Sequence, residues 1–469
     1  MLEVRKLELI KSTTIIGIGK ISTQFLNFFL LPLYTAILST EEYGYVDVIN
    51  VISSVLVVIV NLQLEQGLFR FLIGVSKKEE KEEVISAAFM INAVVFIVYI
   101  VIYAMINFVF LYDIKIGIGY LLFCTISTIY YNNMMQISRG MGDNKLYAFG
   151  GFLSSALIIM FNIIFLVFLD MKAEGMLLAN ILGFTFTGLY LTKKQKVYKY
   201  LHIKSISKEC IYKLLSYCIP LVPNELAWKI INSSDRIVTS VALGIATNGI
   251  LAIACKITSF FIMFFHIFNT SWYEFVILHY TDKDREELLS SIINSAMNIF
   301  GSVSLLIICF IEKFFIYIVD EKFYDAYYQI PLFMIANLFN IGMGLISVVY
   351  IAEKDTKAIA KSSCTCAIVN LVVCILLINK FGLYAASISS IVAYAAVFFS
   401  RYIDIRKYLN LSFKLSNIVL LWVSFLSISI FYYIKKINIF IVGIIILEIV
   451  FINRNDIRKV LNIIKAKLK

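Results

Sequence analysis

The sequence predicts an all-α polytopic membrane protein of about 14 transmembrane helices. They form two six-helix lobes related by a pseudo-two-fold axis along the membrane normal, with two additional helices at the C-terminal end. Three observations carry this expectation. The 469 residues are 60% hydrophobic and 16% charged, with a mean hydropathy of +0.86, a composition outside the range of soluble domains. Cutting the chain at apolar runs of about 20 residues gives spans near 12–38, 43–66, 84–111, 117–138, 146–169, 175–192, 214–242, 247–278, 288–311, 326–350, 358–378, 384–404, 415–433 and 438–452. Alternate connections then differ in basicity: 31 of the 42 Lys and Arg fall in the set containing both termini, 7 in the opposite set and 4 within spans. The positive-inside rule therefore places both termini in the cytoplasm. The net charge of +11 is thereby explained by topology and by attraction to anionic inner-leaflet lipid, and nucleic acid is not expected as a partner.

The third observation is an internal repeat. Asn162, Gly175 and Ala179 recur as Asn370, Gly382 and Ala386 at offsets of 208, 207 and 207, and Gly44, read as a turn glycine, recurs as Gly249 at an offset of 205. Six spans per repeat is an even number, so the lobes share one orientation, the parallel kind of transporter duplication. The expected domains are a six-helix lobe over 1–192, a basic amphipathic linker over 193–213, a second lobe over 214–410, two extra helices over 411–453 and a basic amphipathic tail over 454–469.

Taken in order, span one carries Lys20, Thr23, Gln24 and Asn27 on one face, and Pro32 should kink its outer end. Ser39–Gly44 reads as a tight exterior turn. Span two repeats the polar stripe with Asp47, Asn50, Ser54, Asn61 and Glu65 and ends in GLFRF, with Arg70 at the cytoplasmic mouth. Spans three to six hold single polar residues in apolar runs and read as packing and lipid-facing helices.

Span seven is the stretch around which the rest is organised. From Pro220 to Ser240, Glu225, Trp228, Lys229, Asn232, Ser233, Arg236 and Ser240 recur at spacings of three and four and share one helix face. Asp235 adjoins Arg236, and Glu225 lies one turn before Lys229. A charge in hydrocarbon costs roughly 2.5–3.5 kcal/mol on insertion scales, so this stripe must face protein or water. It implies a polar cavity; a buried ion pair that only locks helices is the alternative. Span eight mirrors span two, with Lys256, Ser259, Met263, His266, Thr270 and Tyr273 on one stripe and Glu274 adjacent. Spans nine to twelve return to sparse polarity.

The eight cysteines are scattered through apolar runs, and the Cys364/Cys366 pair has neither a second pair nor a nearby histidine to complete a metal site. A cleavable leader is not expected, because the charged start runs into a segment too long for a signal peptide. There is no Gly-rich phosphate loop, which argues against ATP hydrolysis.

PLYTAILSTEEYGYVDV, GLFRF, ISRGMGDNKLYAF and SSDRIVTSVALGIATNGILAIACKI together resemble the polysaccharide-transport flippases of the multidrug/oligosaccharidyl-lipid/polysaccharide superfamily. The resemblance covers nearly the whole chain through span twelve, with Ile250 and Leu251 standing where an aromatic often follows the glycine. It implies two six-helix lobes around a central cavity, alternating access, and undecaprenyl-diphosphate carrying an oligosaccharide repeat unit as cargo. It further implies a cationic lumen, which Lys20, Arg70, Lys229, Arg236 and Lys256 could supply here.

Chemically, Lys and Arg would hold a diphosphate by charge-assisted hydrogen bonds, while Gln24, Asn27, Asn232 and Trp228 suit the hydroxyl edges and apolar faces of sugars. Asp47, Glu65, Asp235 and Glu274 could neutralise the empty cavity or bind a coupling proton or sodium ion; no other cofactor is expected. Pro32, Pro220 and Pro223 are plausible bends for rocking about the linker. The pathway partners implied are glycosyltransferases and a polysaccharide polymerase acting on the same lipid-linked sugar at a bacterial cytoplasmic membrane. A cation-coupled multidrug exporter of the same fold is the alternative, though intramembrane cations argue against it. A membrane polymerase would need a sizeable catalytic loop, and the longest loops are the Lys-rich linker and the short segment Glu312–Tyr328, in which Asp320, Glu321 and Asp325 could serve as catalytic acids but which reads rather as an interfacial turn.

Overall fold

The computed structural model describes residues 28–110, 117–202, 205–353, 355–435, 437–454 and 457–458. All regular structure among them is helical, and the chain forms two compact units, Met1–Ser240 and Val241–Lys469.

The first unit contains α1 (Leu31–Ile37), α2 (Thr40–Asn61), α3 (Leu64–Leu72), α4 (Lys78–Phe110), α5 (Gly117–Gly140), α6 (Asn144–Asn162), α7 (Lys172–Gln195), α8 (Lys208–Cys218) and α9 (Val222–Leu243), whose last residues pass into the second unit. Helix α5 is its hub, packing on α2, α3, α6 and α7. The close approach needs glycine: a Cβ on Gly188 would lie 2.4 Å from the Tyr130 ring, and one on Gly183 2.4 Å from Ile158. Leu64, Leu68, Leu72, Ile85, Met134, Ile137, Leu191 and Leu214 form a dry core, through which α8 docks by its apolar face.

Several details of the expected path are corrected. Ser39–Gly44 is not a turn: Ser39 is the N-cap of α2, closing a capping box with Glu42, and helix begins at Thr40. Gly44 and Gly249 are therefore not turn glycines; each is the fifth residue of a helix, as α10 begins at Ile245. Span two is also broken. Leu62 and Gln63 take left-handed backbone at φ 49° and 59°, and α3 starts a new helix after them. Pro32 falls in the first turn of α1, where its missing N–H costs nothing. Pro220 lies in a 3₁₀ turn, Ile219–Leu221, that separates α8 from α9.

The second unit contains α10 (Ile245–His279), α11 (Arg285–Ile318), α12 (Ile330–Ala352), α13 (Thr356–Phe381), α14 (Tyr384–Asp404), α15 (Leu415–Tyr433) and α16 (Ile439–Ile452). Helix α14 packs on α12 and α13, α12 on α10, and the two last helices on α11. Polar stitches hold these apolar helices in register: Trp272 Nε1 donates to Leu345 O at 3.1 Å, Asn453 Nδ2 to Ser302 Oγ at 2.8 Å, and Tyr432 Oη to Tyr327 O at 2.8 Å. Ten described helices are long and apolar enough to cross a membrane, and Ile439–Ile452 is a shorter apolar one. The protein is thus a multi-pass membrane protein.

At one end of this unit, Asp355 caps α13. Its Oδ1 accepts from Ala358 N at 3.1 Å and its Oδ2 from Tyr408 Oη at 2.8 Å. The Tyr408 hydrogen bond, then the Ala358 amide, hold the Asp355 carboxyl below the usual carboxylate range. A depressed carboxyl contributes stability above its unfolded pKa of about 4, and this is lost as pH falls through the lower folded value. Thermal unfolding of the purified protein should therefore show a midpoint that declines below about pH 4. Asp355→Asn should flatten that part of the profile; a decline identical to wild type would show that the cap is not its source.

Candidate functional site

Neither α5 nor α9 is among the helices apolar enough to count as plain membrane spans, and these two carry much of the polar machinery. Helix α9 holds Glu225, Lys229, Asp235 and Arg236, and α5 holds Asn132, Asn133 and Gln136. Helix α2 completes the set with its stripe from Asp47 to Asn61, and the break at Leu62–Gln63 brings Glu65 in at the start of α3.

Two charged nodes result. At the first, Arg236 Nη1 on α9 donates to Asp47 Oδ1 on α2 at 2.9 Å. The side chains are 22% and 14% exposed, so the pair is shielded without being sealed. Asp235, buried at 6% exposure, turns its carboxylate to the backbone N–H of Arg236 at 2.9 Å, so two carboxylates stand by one guanidinium. At the second node, Glu65 accepts from Asn61 Nδ2 at 3.4 Å and from the side chain of Asn132, and lies within electrostatic reach of Glu225 and Lys229. Asn61 and Asn133 exchange amide hydrogen bonds at 3.3 and 3.1 Å.

The seven stripe residues of α9 do not all share one environment. Trp228, Lys229 and Arg236 are half-buried, Ser233 is buried, and Asn232 is exposed with its amide turned back to Trp228 O at 2.9 Å. Arg70 is exposed on α3. Lys256 is half-buried on α10 in the second unit, and Glu274 lies on the same helix. Lys20, Gln24 and Asn27 lie outside the described residues. Among the described residues no group of three or more His, Cys, Asp or Glu is placed to hold a metal ion.

Two intramembrane groups escape the sequence reading. Arg401, in the last turn of α14, is 2% exposed. Its Nε donates to Ser362 Oγ at 2.9 Å, its Nη2 to Ser363 Oγ at 3.1 Å and Ile359 O at 3.4 Å, and its Nη1 to Ser347 Oγ. Glu448, inside the very apolar α16, accepts from Ser424 Oγ of α15. A charge ending a helix and a lone acid in an isoleucine run were the available signals.

Solved structures share this helical fold. The lipid II flippase MurJ, in an inward closed conformation, aligns over 96% of this chain and 100% of its own, with a TM-score of 0.68 at 14% identity. A multidrug resistance MATE family transporter of the MOP superfamily, inward-facing, aligns over 82% of this chain and 95% of its own, with a TM-score of 0.67 at 14% identity. A MOP superfamily transporter from Pyrococcus furiosus, described as having a binding pocket of reversed polarity that suggests a different function, covers 84% of this chain and 96% of its own, with a TM-score of 0.58 at 16% identity. Comparison with curated protein sequences gives no match. The family model described as polysaccharide biosynthesis protein matches residues 9–273, more than half the chain, and the chain belongs to that family.

Proposed function

We propose that the protein is a flippase. It moves undecaprenyl-diphosphate-linked oligosaccharide repeat units from the inner to the outer leaflet of a bacterial cytoplasmic membrane, both termini cytoplasmic, by alternating access through a cationic cavity, for surface polysaccharide assembly. The observation that carries this reading is the pair of half-buried cations on α9, Lys229 and Arg236, in a chain of the polysaccharide biosynthesis family. Arg236 is held in reserve by Asp47, and Lys229 is balanced at longer range by Glu65. A diphosphate offers what those carboxylates offer, with more oxygens and more charge, so cargo can replace them without leaving a bare cation in hydrocarbon. Trp228 and Asn232, on the same helix, suit a sugar's apolar face and hydroxyl edge. Glycosyltransferases would supply this cargo, and a polymerase would consume it.

The multidrug exporter reading shares the fold but needs a pocket for cationic drugs, which Lys229 and Arg236 would repel. The test uses the purified protein in proteoliposomes, with a fluorescent polyprenyl-diphosphate oligosaccharide and an organic cation as alternative cargoes. Protein-dependent transfer of the lipid-linked sugar between leaflets is expected. Transport of the organic cation alone would replace this reading with the exporter.

A further inference from the structure

The polar stripe of α2 continues past the Asp47–Arg236 pair. Asn50 follows Asp47 on the same face, about 4.5 Å further along the axis at 1.5 Å per residue, and Ser54 comes one turn later. There α2 meets α5 and α7 at a pocket of about 90 Å³. Buried Ser53, Cys124, Ser127 and Val57 form its floor, and half-buried Asn50, Ser54, Thr128 and Asn180 its rim. Beyond Val57 the seam closes on an apolar cluster with Val60, Tyr99 and Ile129, so the pocket is a dead end and not a passage.

The lining offers more lone pairs than protons. Ser54 donates to Val51 O at 2.8 Å and Ser127 to Cys124 O at 3.1 Å. Thr125 donates to Leu121 O at 2.8 Å, so Ser53, 3.2 Å from it, is the donor between them. All three serines can therefore turn only lone pairs toward the pocket. The carboxamides of Asn50 and Asn180 and the Thr128 hydroxyl hydrogen-bond to no other described residue, and so keep both donors and acceptors. Ile181 and Phe184 add an apolar wall, and Phe184 is fixed by stacking on Tyr131, with ring centroids 4.9 Å apart. No lining residue among those described carries a charge.

Size and lining together select the ligand. A cavity of about 150 Å³ takes a benzene ring, so this one is too small for a sugar ring and admits a substituent of one. A carboxylate or ammonium substituent would be buried there without a counter-charge. A bare hydroxyl would leave most of the space and several polar groups unused. An acetamido group matches each feature. Its N–H meets the surplus lone pairs, its carbonyl meets the Asn amides and Thr128, and its methyl meets Val57, Ile181 and Phe184.

We infer that this pocket is a specificity subsite for N-acetylated amino sugars, with Asn50 and Asn180 recognising the acetamido group of the lipid-linked cargo. The inference rests on the flippase reading, and the stripe connects the two. Asn50 lies about one helical turn from Asp47, the partner of Arg236. With a diphosphate on Arg236, an adjoining sugar ring spans that step and drops its substituent into the pocket.

The experiment uses the full-length protein in proteoliposomes with two fluorescent polyprenyl-diphosphate oligosaccharides, identical except that one carries an acetamido group where the other carries a hydroxyl. Protein-dependent transfer of the acetamido cargo at subsaturating concentration should be about tenfold faster or more, the effect of one net hydrogen bond. Asn50→Ala and Asn180→Ala, on different helices, should each bring the ratio of the two rates toward one, whatever happens to the absolute rates. Equal rates for both cargoes in the wild type, the result for a pocket that holds only water, overturn the inference and leave the flippase reading standing. A preference that survives in both folded variants overturns it too, by placing the recognition elsewhere. Transfer of neither cargo removes the flippase reading and this inference with it. The wild-type ratio needs no variant, so a substitution that fails to fold still leaves a decisive result.

Discussion

Replacing Arg236 by alanine should abolish polymer export while leaving protein abundance unchanged, and Lys229→Ala should do the same. The two residues sit seven apart on one helix, about two turns, and so address the same volume. A hydrogen bond to a charged group contributes about 1.5–3 kcal/mol, so removing one weakens cargo binding roughly 10–150-fold. Arg236→Ala also leaves Asp47 near buried Asp235 without the guanidinium between them, so the node becomes repulsive to an anionic cargo. Export is read as surface polymer in a strain lacking the wild-type gene. The charge-swapped double variant Asp47→Arg/Arg236→Asp separates the two meanings of the pair. It restores an ion pair between α2 and α9 but moves the cation off the stripe, so export should stay abolished. Recovery of export in the swap would make the pair a helix lock, and normal export in both single variants would remove the cationic cavity altogether.

The largest effect on stability is expected at Arg401. Its guanidinium fork bridges α12, through Ser347, and α13, through Ser362, Ser363 and Ile359 O, to its own helix α14. Arg401→Ala leaves a void at the meeting point of three helices and should cost about 2–5 kcal/mol, the range for truncating a large buried side chain. Arg401→Lys keeps the charge but replaces a planar fork by a point donor, and should destabilise by roughly 1–3 kcal/mol. Thermal unfolding in detergent reads both. An alanine variant unfolding at the wild-type temperature would show that these helices are held by apolar packing alone.

The helices themselves were legible because hydrocarbon imposes a length and a composition on anything that crosses it. The segments expected at 247–278, 384–404 and 415–433 are α10, α14 and α15 to within a few residues. Polar stripes were legible for the same reason, since a charge in an apolar run must be answered by something. What answers it was not. Asp47 and Arg236 are 189 residues apart, and nothing local in either helix selects the other. The break at Leu62–Gln63 had no signal: leucine and glutamine carry no preference for left-handed backbone, and tertiary packing holds them there. Arg401 was hidden because its neighbours in sequence, Arg406 and Lys407, are ordinary exposed cations.

By itself the sequence determined that this chain is a bundle of membrane-crossing helices with charges where lipid forbids them, because hydrophobic length and charge placement are local properties. Only the tertiary structure decided which charges meet, where a helix breaks and which arginine is sealed, because those depend on interactions between residues distant in the chain, whose energies no local pattern encodes.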